Sequence, residues 1–156
     1  MMPRWAILFI GALIVVDQSV KHLILSMVFD PPRIIEVSSF FNLVPVWNSG
    51  VSFGLFGDSE SSRWILVGLA LAIVIVLLVW MVRAGGGMVV FALTLVVGGA
   101  LGNVVDRIVY GAVIDFVDIH GFGFHWPAFN VADTTIVVGT ALLFYDSLFG
   151  STRTLK

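Results

Sequence analysis

The sequence predicts a mainly α-helical, polytopic membrane protein with four transmembrane helices and a small extracytoplasmic β-like cradle. Apolar residues make up 59% of the 156 residues and charged residues only 12%, whereas a soluble domain carries roughly 25% charged residues. The mean hydropathy is +1.07. Four apolar stretches are long enough to cross a hydrocarbon core of about 30 Å. We therefore expect a single membrane domain that covers residues 1–156.

The first span is predicted at about residues 5–29. A cleaved signal peptide is the alternative interpretation of an apolar N-terminal run. This run ends at Asp17 and Gln18 instead of at a small-x-small cleavage site, and apolar sequence resumes at Leu23. A retained transmembrane helix is therefore favoured.

The other three spans are predicted at residues 64–82, 88–107 and 131–149. The second span is nineteen residues without a charge. A glycine-rich turn at 85–87 separates it from the third span. The third span contains a small-x-x-x-small pattern at 98–102, which is typical of closely packed membrane helices. An even number of spans puts both termini on the same side of the membrane.

The basic residues favour a cytoplasmic location for both termini. Arginine and lysine are denser in the tails and in the short glycine-rich turn than in the two longer connections, at about 26–63 and 108–130. Cytoplasmic loops carry the excess of basic residues in membrane proteins. We therefore expect the two longer connections to lie outside the cytoplasm.

Both outside connections contain β-like stretches. Residues 34–37 and 41–47 are rich in β-branched and aromatic side chains, and residues 48–50 mark a turn. Residues 112–119 read as another extended stretch, and the glycines within 121–123 permit the chain to reverse. These stretches would form the predicted cradle.

Polar and ionisable residues gather toward the outer ends of the predicted spans. Such a residue costs about 3 kcal/mol at membrane depth, so it is a functional candidate by default. Helices of alternating direction would collect these residues in one layer near the outer interface, beside Asp115 of the outside connection. The layer contains Asp17, Lys21, Asn103, Asp106, Arg107 and Asp133.

Spacing suggests contacts within this layer. Asp17 and Lys21 are four residues apart on one helix, which favours a structural ion pair. Asn103, Asp106 and Arg107 share a helix face. Either Asp106 and Arg107 cap the third helix, or Asn103 and Arg107 donate hydrogen bonds to a substrate backbone, and the sequence leaves both interpretations open.

Asp115 and Asp133 occupy different environments. Asn130 is a good N-cap, which puts Asp133 near the positive end of a helix dipole, where an ionised carboxylate is stabilised. A simple capping acid is the alternative. Asp115 lies in the apolar run 113–117, which should raise its pKa. An aspartic peptidase needs one ionised carboxylate to activate water and one protonated carboxyl to donate to the scissile carbonyl.

Other chemistries find little support. The chain has no cysteine, which excludes a disulfide or a thiol nucleophile, and its net charge of -2 does not suggest a nucleic-acid partner. His22, His120 and His125 lack a spacing such as His-Glu-x-x-His, so no metal is predicted. Serine-nucleophile motifs are absent from the sequence. The remaining acids, among them Asp118 and Asp146, are interpreted as solvated or interfacial.

The sequence supports three alternative functions less well than it supports an aspartic peptidase. A proton- or ion-coupled carrier would use Asp17, Asp106 and Asp133, but it predicts acids near mid-membrane and related halves of the chain, and neither is evident. A non-catalytic assembly factor would tolerate the loss of Asp115 or Asp133. Intramembrane aspartic peptidases with a Gly-x-Gly-Asp motif are a third alternative, which Leu-Phe-Gly-Asp at 55–58 does not match.

Five segments carry motifs in a fixed order along the chain. They are residues 17–21 (Asp-Gln-Ser-Val-Lys), 48–54 (Asn-Ser-Gly-Val-Ser-Phe-Gly), 98–107 (Gly-Gly-Ala-Leu-Gly-Asn-Val-Val-Asp-Arg), 113–116 (Val-Ile-Asp-Phe) and 129–133 (Phe-Asn-Val-Ala-Asp). Together they resemble the bacterial lipoprotein signal peptidase (signal peptidase II) family over nearly the whole chain. Ser52 stands where that family commonly has alanine, and the connection between the two aspartates is compact.

The resemblance implies an aspartic endopeptidase that cuts the signal peptide from a bacterial prolipoprotein, just before a cysteine that already carries diacylglycerol. Asp115 and Asp133 would be the catalytic pair. The residues implied to bind substrate or support the pair are Asn103, Arg107, Asn130, Asn48, Gly50, Asp17, Lys21 and Asp106.

The resemblance also implies a location and partners. The enzyme would lie in the bacterial cytoplasmic (inner) membrane, with its termini in the cytoplasm and its active site at the outer face. Its partners would be the diacylglyceryl-modified prolipoprotein and membrane lipid, with the cyclic peptide globomycin as an inhibitor. No cofactor is implied.

Overall fold

The computed structural model describes residues 2–50, 60–84 and 87–150. These residues form four long helices, which are α1 (Arg4–Val28), α2 (Glu60–Arg83), α3 (Met88–Tyr110) and α4 (Val131–Phe149). All four are long and apolar enough to cross a membrane, which confirms the predicted spans. Residues 51–54 of the second motif, the segment at 55–58 and residues 85–86 of the glycine-rich turn lie outside the described ranges.

Helix α3 is the central helix. It buries 61% of its most apolar stretch, against 11 to 22% in the other three helices. The outer faces of α1, α2 and α4 expose large apolar side chains, such as Val76 and Val137, each 66% exposed. In a bilayer these faces contact lipid chains, which are as apolar as the side chains themselves.

The small residues of α3 permit its neighbours to approach closely. A Cβ atom added to Gly98 would lie 2.7 Å from Leu13 of α1, and one added to Gly99 would lie 2.4 Å from the carbonyl oxygen of Ala132 in α4. One added to Gly102 would lie 2.7 Å from Asp17. The predicted small-x-x-x-small contact is therefore confirmed, and it brings polar groups of α1 against the backbone of α3.

A four-stranded antiparallel sheet, in the order β1-β2-β3-β4, covers one end of the helices. Its strands are β1 (Ile35–Ser38), β2 (Phe41–Asn48), β3 (Val113–Gly121) and β4 (Phe124–His125). The predicted β-like stretches are thus confirmed. Strands β2 and β3 come from different connections and pair from Phe41 opposite Ile119 to Asn48 opposite Val113.

The sheet is anchored to the helices through both apolar and backbone contacts. Ile24 and Val28 at the end of α1 pack in one buried cluster with Ile114 and Phe116 of β3. The backbone of Phe129, just before α4, exchanges two hydrogen bonds with Val117 of β3, at 2.9 and 3.2 Å. The start of α4 is therefore tied to the strand that carries Asp115.

Helix α3 continues one turn beyond the predicted end at 107. It ends at Tyr110 and is capped by Gly111, which adopts the left-handed conformation with a φ of 86° and donates its backbone N–H to the carbonyl of Arg107. Glycine adopts this conformation without a Cβ penalty. The interpretation of Asp106 and Arg107 as the cap of this helix is therefore wrong.

The close approach at Gly99 predicts a stability difference between two helical glycines. Gly99→Ala would force the Ala132 carbonyl away and should lower the free energy of unfolding by about 1–3 kcal/mol. Gly11→Ala is the matched control, because nothing lies within 4 Å of a Cβ at Gly11. Unfolding in a denaturing-detergent titration measures both, and equal effects of the two variants would contradict the packing.

Candidate active site

Asp115 lies on β3 with 1% of its surface exposed. Its two carboxylate oxygens accept hydrogen bonds from two side-chain amides, those of Asn48 at 2.8 Å and Asn130 at 2.7 Å. Asn48 is the last residue of β2, and its side-chain oxygen also accepts the backbone N–H of Gly50 at 2.8 Å. Asn48 therefore holds Asp115 and closes the turn that follows the strand.

Asp133 lies in the first turn of α4 and is part of a capping box. The Asn130 side chain accepts the backbone N–H of Asp133 at 2.9 Å, and the Asp133 carboxylate accepts the backbone N–H of Asn130 at 3.2 Å. The other carboxylate oxygen accepts a hydrogen bond from Asn103 of α3 at 2.7 Å. The predicted N-cap is confirmed. Besides its part in the capping box, Asp133 also joins α4 to α3 through Asn103.

The amide of Asn130 joins the two aspartates. This side chain is fully buried. Its oxygen accepts from the backbone of Asp133, while its nitrogen donates to Asp115 and, at 3.2 Å, to the side-chain oxygen of Asn103. One neutral side chain therefore links the carboxylate of Asp115 to the backbone of Asp133 at the start of α4.

Beneath this pair, the ammonium of Lys21 is buried with 1% of its side chain exposed. It contacts Asp17 at 2.8 Å, Asp106 at 2.6 Å and the side-chain oxygen of Asn103 at 3.1 Å. An ammonium has three N–H donors, so each donor has an acceptor. The predicted pair of Asp17 and Lys21 is confirmed.

The acids of this cluster also bind backbone groups of other elements. Asp17 accepts the backbone N–H of Ala132 in α4 at 2.9 Å, and the fully buried Asp106 accepts that of Ile114 in β3 at 3.2 Å. Gln18 donates to Asp106 at 2.7 Å. The sequence interpretation assigned no role to Gln18, and its place beside Asp17 within a motif was the only signal for one.

Arg107 lies at the edge of the cluster. One guanidinium nitrogen is 3.4 Å from the backbone carbonyl of Asn103. A Cβ atom added to Gly50 would lie 3.4 Å from another guanidinium nitrogen of Arg107. Within residues 2–50, 60–84 and 87–150, the buried Nε atom has no hydrogen-bond partner. The ten residues singled out from the sequence therefore converge on one site.

Burial raises the pKa of Asp115 to about 6. The hydrogen bond from Asn48 lowers the pKa, the nearby Asp133 carboxylate raises it, and the hydrogen bond from Asn130 lowers it. The net direction agrees with the expectation from the apolar run around Asp115. This carboxyl therefore takes up a proton at a pH closer to neutral than an ordinary aspartate does.

An apolar cavity opens beside Asp133. It has a volume of about 260 Å³ and is lined by Asp133, Thr134, Val137 and Val138 of α4 together with Trp126 and Phe129. The cavity runs along the lipid-exposed face of α4 and meets the polar site at Asp133. An apolar chain within it would lie next to a carboxylate.

Asp118 is not part of this site and is not solvated as expected. It is only 6% exposed and accepts hydrogen bonds from Asn42 at 3.1 Å and His125 at 2.9 Å. Strand pairing is the reason, since Asn42 of β2 lies directly opposite Asp118. In the described part of the chain, the group with the spacing of metal ligands is Asp118 with His120 and His125.

Comparisons with known proteins agree on one family. Residues 9–149 match the family described as signal peptidase (SPase) II. A lipoprotein signal peptidase of Methylobacterium sp. (strain 4-46) is 46% identical over 145 residues, which cover 92% of this chain and 88% of that protein. A lipoprotein signal peptidase of Methylorubrum extorquens (strain PA1) is 52% identical over 114 residues, 72% of this chain and 67% of that protein.

Solved structures share the fold. Two chains described as bacterial membrane enzyme structures obtained by the in meso method superpose with TM-scores of 0.79 and 0.80, each at 27% identity. The first covers 97% of this chain and 91% of that chain, and the second covers 92% of both.

The raised pKa of Asp115 predicts a pH-dependent stability. Between the ordinary pKa of 3.8 and about 6, the folded protein binds this proton more tightly than the unfolded chain does. The contribution of Asp115 to stability is therefore greatest below pH 4 and is lost as the pH rises to 6, a change of about 3 kcal/mol.

Unfolding of the wild type and of Asp115→Asn in detergent titrations between pH 4 and 7 measures this change. All other titrating groups are common to both proteins, so the difference between their unfolding free energies isolates Asp115. As the pH rises from 4 to 7, the variant should become more stable relative to the wild type by about 3 kcal/mol. A difference that stays constant with pH would contradict the raised pKa.

Proposed function

Because the chain belongs to the signal peptidase II family, whose members remove the signal peptide from prolipoproteins, we propose that Asp115 and Asp133 are its catalytic pair. The chain is a multi-pass membrane peptidase. The observation that carries the proposal is that one buried amide, that of Asn130, donates to the carboxylate of Asp115 and accepts the backbone N–H of Asp133.

The surroundings of the two carboxyls suggest different roles. Asp133 accepts hydrogen bonds from the side chain of Asn103 and from a backbone N–H at the start of α4. Burial raises the pKa of Asp115 to about 6. In the proposed resting state, Asp133 is the carboxylate and Asp115 holds the proton of the pair.

Hydrolysis then follows with a balanced movement of protons. Asp133 takes a proton from a water molecule as the water oxygen bonds to the scissile carbonyl carbon, and Asp115 gives its proton to the carbonyl oxygen. The carbon–nitrogen bond breaks as Asp133 returns its proton to the leaving nitrogen. Asp115 recovers a proton from the hydroxyl group that becomes the new carboxyl.

The supporting residues divide into two kinds. Asn103 is committed to Lys21, Asn130 and Asp133, so we assign it to positioning the pair. Arg107 keeps a buried nitrogen without a partner among the described residues, so we assign it to binding the substrate backbone. The sequence left open whether Asn103 and Arg107 both donate hydrogen bonds to a substrate backbone. In this assignment Arg107 does so and Asn103 does not.

The cavity along α4 suggests how the substrate binds. Its walls are apolar and it ends at Asp133, which suits an apolar signal helix or an acyl chain that arrives by lateral diffusion. We propose that the substrate is the diacylglyceryl-modified prolipoprotein, cut before the lipidated cysteine, and that globomycin competes for the same space.

The proposed location is the bacterial cytoplasmic membrane, with both termini in the cytoplasm and the site at the outer face. The density of basic residues in the tails and in the short connection between α2 and α3 supports this orientation. The site lies where the sheet meets the helix ends, and water reaches a scissile bond more readily there than at mid-membrane.

The proposed pair predicts a specific pattern of loss. Asp115→Asn and Asp133→Asn should each lower cleavage of a synthetic diacylglyceryl-cysteine precursor by about 10²–10⁴-fold or more, because each removes one proton-transfer group. Asp146→Asn, near the other end of α4, is the matched control and should cleave normally and stay sensitive to globomycin. Normal turnover by either variant of the pair, with an intact thermal unfolding transition, would refute the assignment.

A further inference from the structure

A second polar cluster lies on the sheet, at the far end of β3 from the proposed catalytic pair. It contains Asp118, His120 and His125. Asp118 and His120 are two residues apart on β3, and residues at this spacing share a face of the strand. His125 of β4 pairs directly with His120. The reversal between the strands uses positive φ angles at Phe122 and Gly123, 52° and 78°.

The possible ligand atoms of this cluster are close together. The Nδ1 atom of His125 lies 2.9 and 3.0 Å from the two carboxylate oxygens of Asp118, and that of His120 lies 3.5 Å from the nearer one. One ligand atom from each of the three residues falls within 4.8 Å of the others. A tetrahedral zinc ion with bonds of about 2.0–2.1 Å separates its ligands by about 3.3 Å.

Two buried polar atoms near the carboxylate make no hydrogen bond in the described part of the chain. Among the described residues, neither Nδ1 of His120 nor the side-chain oxygen of Asn42 has a hydrogen-bond partner. Asn42 already donates to Asp118 at 3.1 Å through its nitrogen. Buried polar atoms are normally paired, and a cation held by Asp118 would give Nδ1 of His120 a partner.

We propose that Asp118, His120 and His125 bind one divalent transition-metal ion, and that Zn²⁺ occupies the site. Two imidazole nitrogens and one carboxylate match the ligand preference of zinc, whereas Mg²⁺ and Ca²⁺ prefer sites built from oxygen atoms alone. The ion would join β4 to β3 and, through the contact of Asn42 with Asp118, to β2. This proposal does not depend on the assignment of the catalytic pair.

Calorimetric titration of the full-length protein with Zn²⁺ alone tests the proposal. The protein is freed of any polyhistidine tag, stripped with a chelator and kept in detergent micelles. The wild type should bind one Zn²⁺ per chain, and Mg²⁺ should give no saturable binding. His120→Gln and His125→Gln should each weaken Zn²⁺ binding at least about tenfold, because each removes one of three ligands.

His22→Gln is the matched control, since His22 is an exposed histidine on α1 far along the chain from the cluster. It should bind Zn²⁺ as the wild type does. His125 is 60% exposed, so its substitution should leave the fold intact, as checked by circular dichroism. Zn²⁺ should also raise the melting temperature of the wild type and not that of His125→Gln.

Three results would overturn the proposal. The first is the absence of one-to-one Zn²⁺ binding by the wild type. The second is an equal loss of affinity in His22→Gln and His125→Gln. The third is unchanged Zn²⁺ affinity in both His120→Gln and His125→Gln.

Discussion

The rest of the structure depends on the contacts of the buried ammonium of Lys21 with Asp17, Asp106 and Asn103. Its three acceptors hold two other elements with their remaining atoms: Asp17 and Asn103 bind the first turn of α4, at Ala132 and Asp133, and Asp106 binds the start of β3. Removal of one partner from a buried ion pair typically costs 3–5 kcal/mol, because the remaining charge stays buried and uncompensated. A single cation thus sets the positions of elements that are far apart in sequence.

The membrane explains why polar groups carry this task. Lipid chains solvate apolar helix faces as well as another helix does, so apolar contact alone does not select one arrangement of helices. In helix α3, glycines such as Gly99 permit the neighbouring helices to approach closely. Asn103 and Asp106, one turn or more further along the helix, add polar contacts to them. Glycines bring the backbones together, and the polar side chains then specify their register.

Local features were predictable from the sequence, and contacts across the fold were less so. The four spans, the cap at Asn130 and the pair of Asp17 and Lys21 depend on composition or on residues three or four apart. The contact of Asp106 with β3 and the cap of α3 at Gly111 were missed, because both depend on the chain that follows the helix. The burial of Asp118 was missed as well, because it depends on which residue of β2 lies opposite in the sheet.

The pairing of β2 with β3 has a consequence for biosynthesis. These strands belong to connections on either side of α2 and α3, and Asn130 and Asp133 arrive only with α4. During synthesis, the first three helices can enter the membrane with Lys21 and Asp106 already in contact, while Asp115 still lacks one of its two amide donors. The contacts of Lys21 with Asp17 and Asp106 can therefore form before α4 supplies Asn130 and Asp133, the residues that complete the proposed catalytic site.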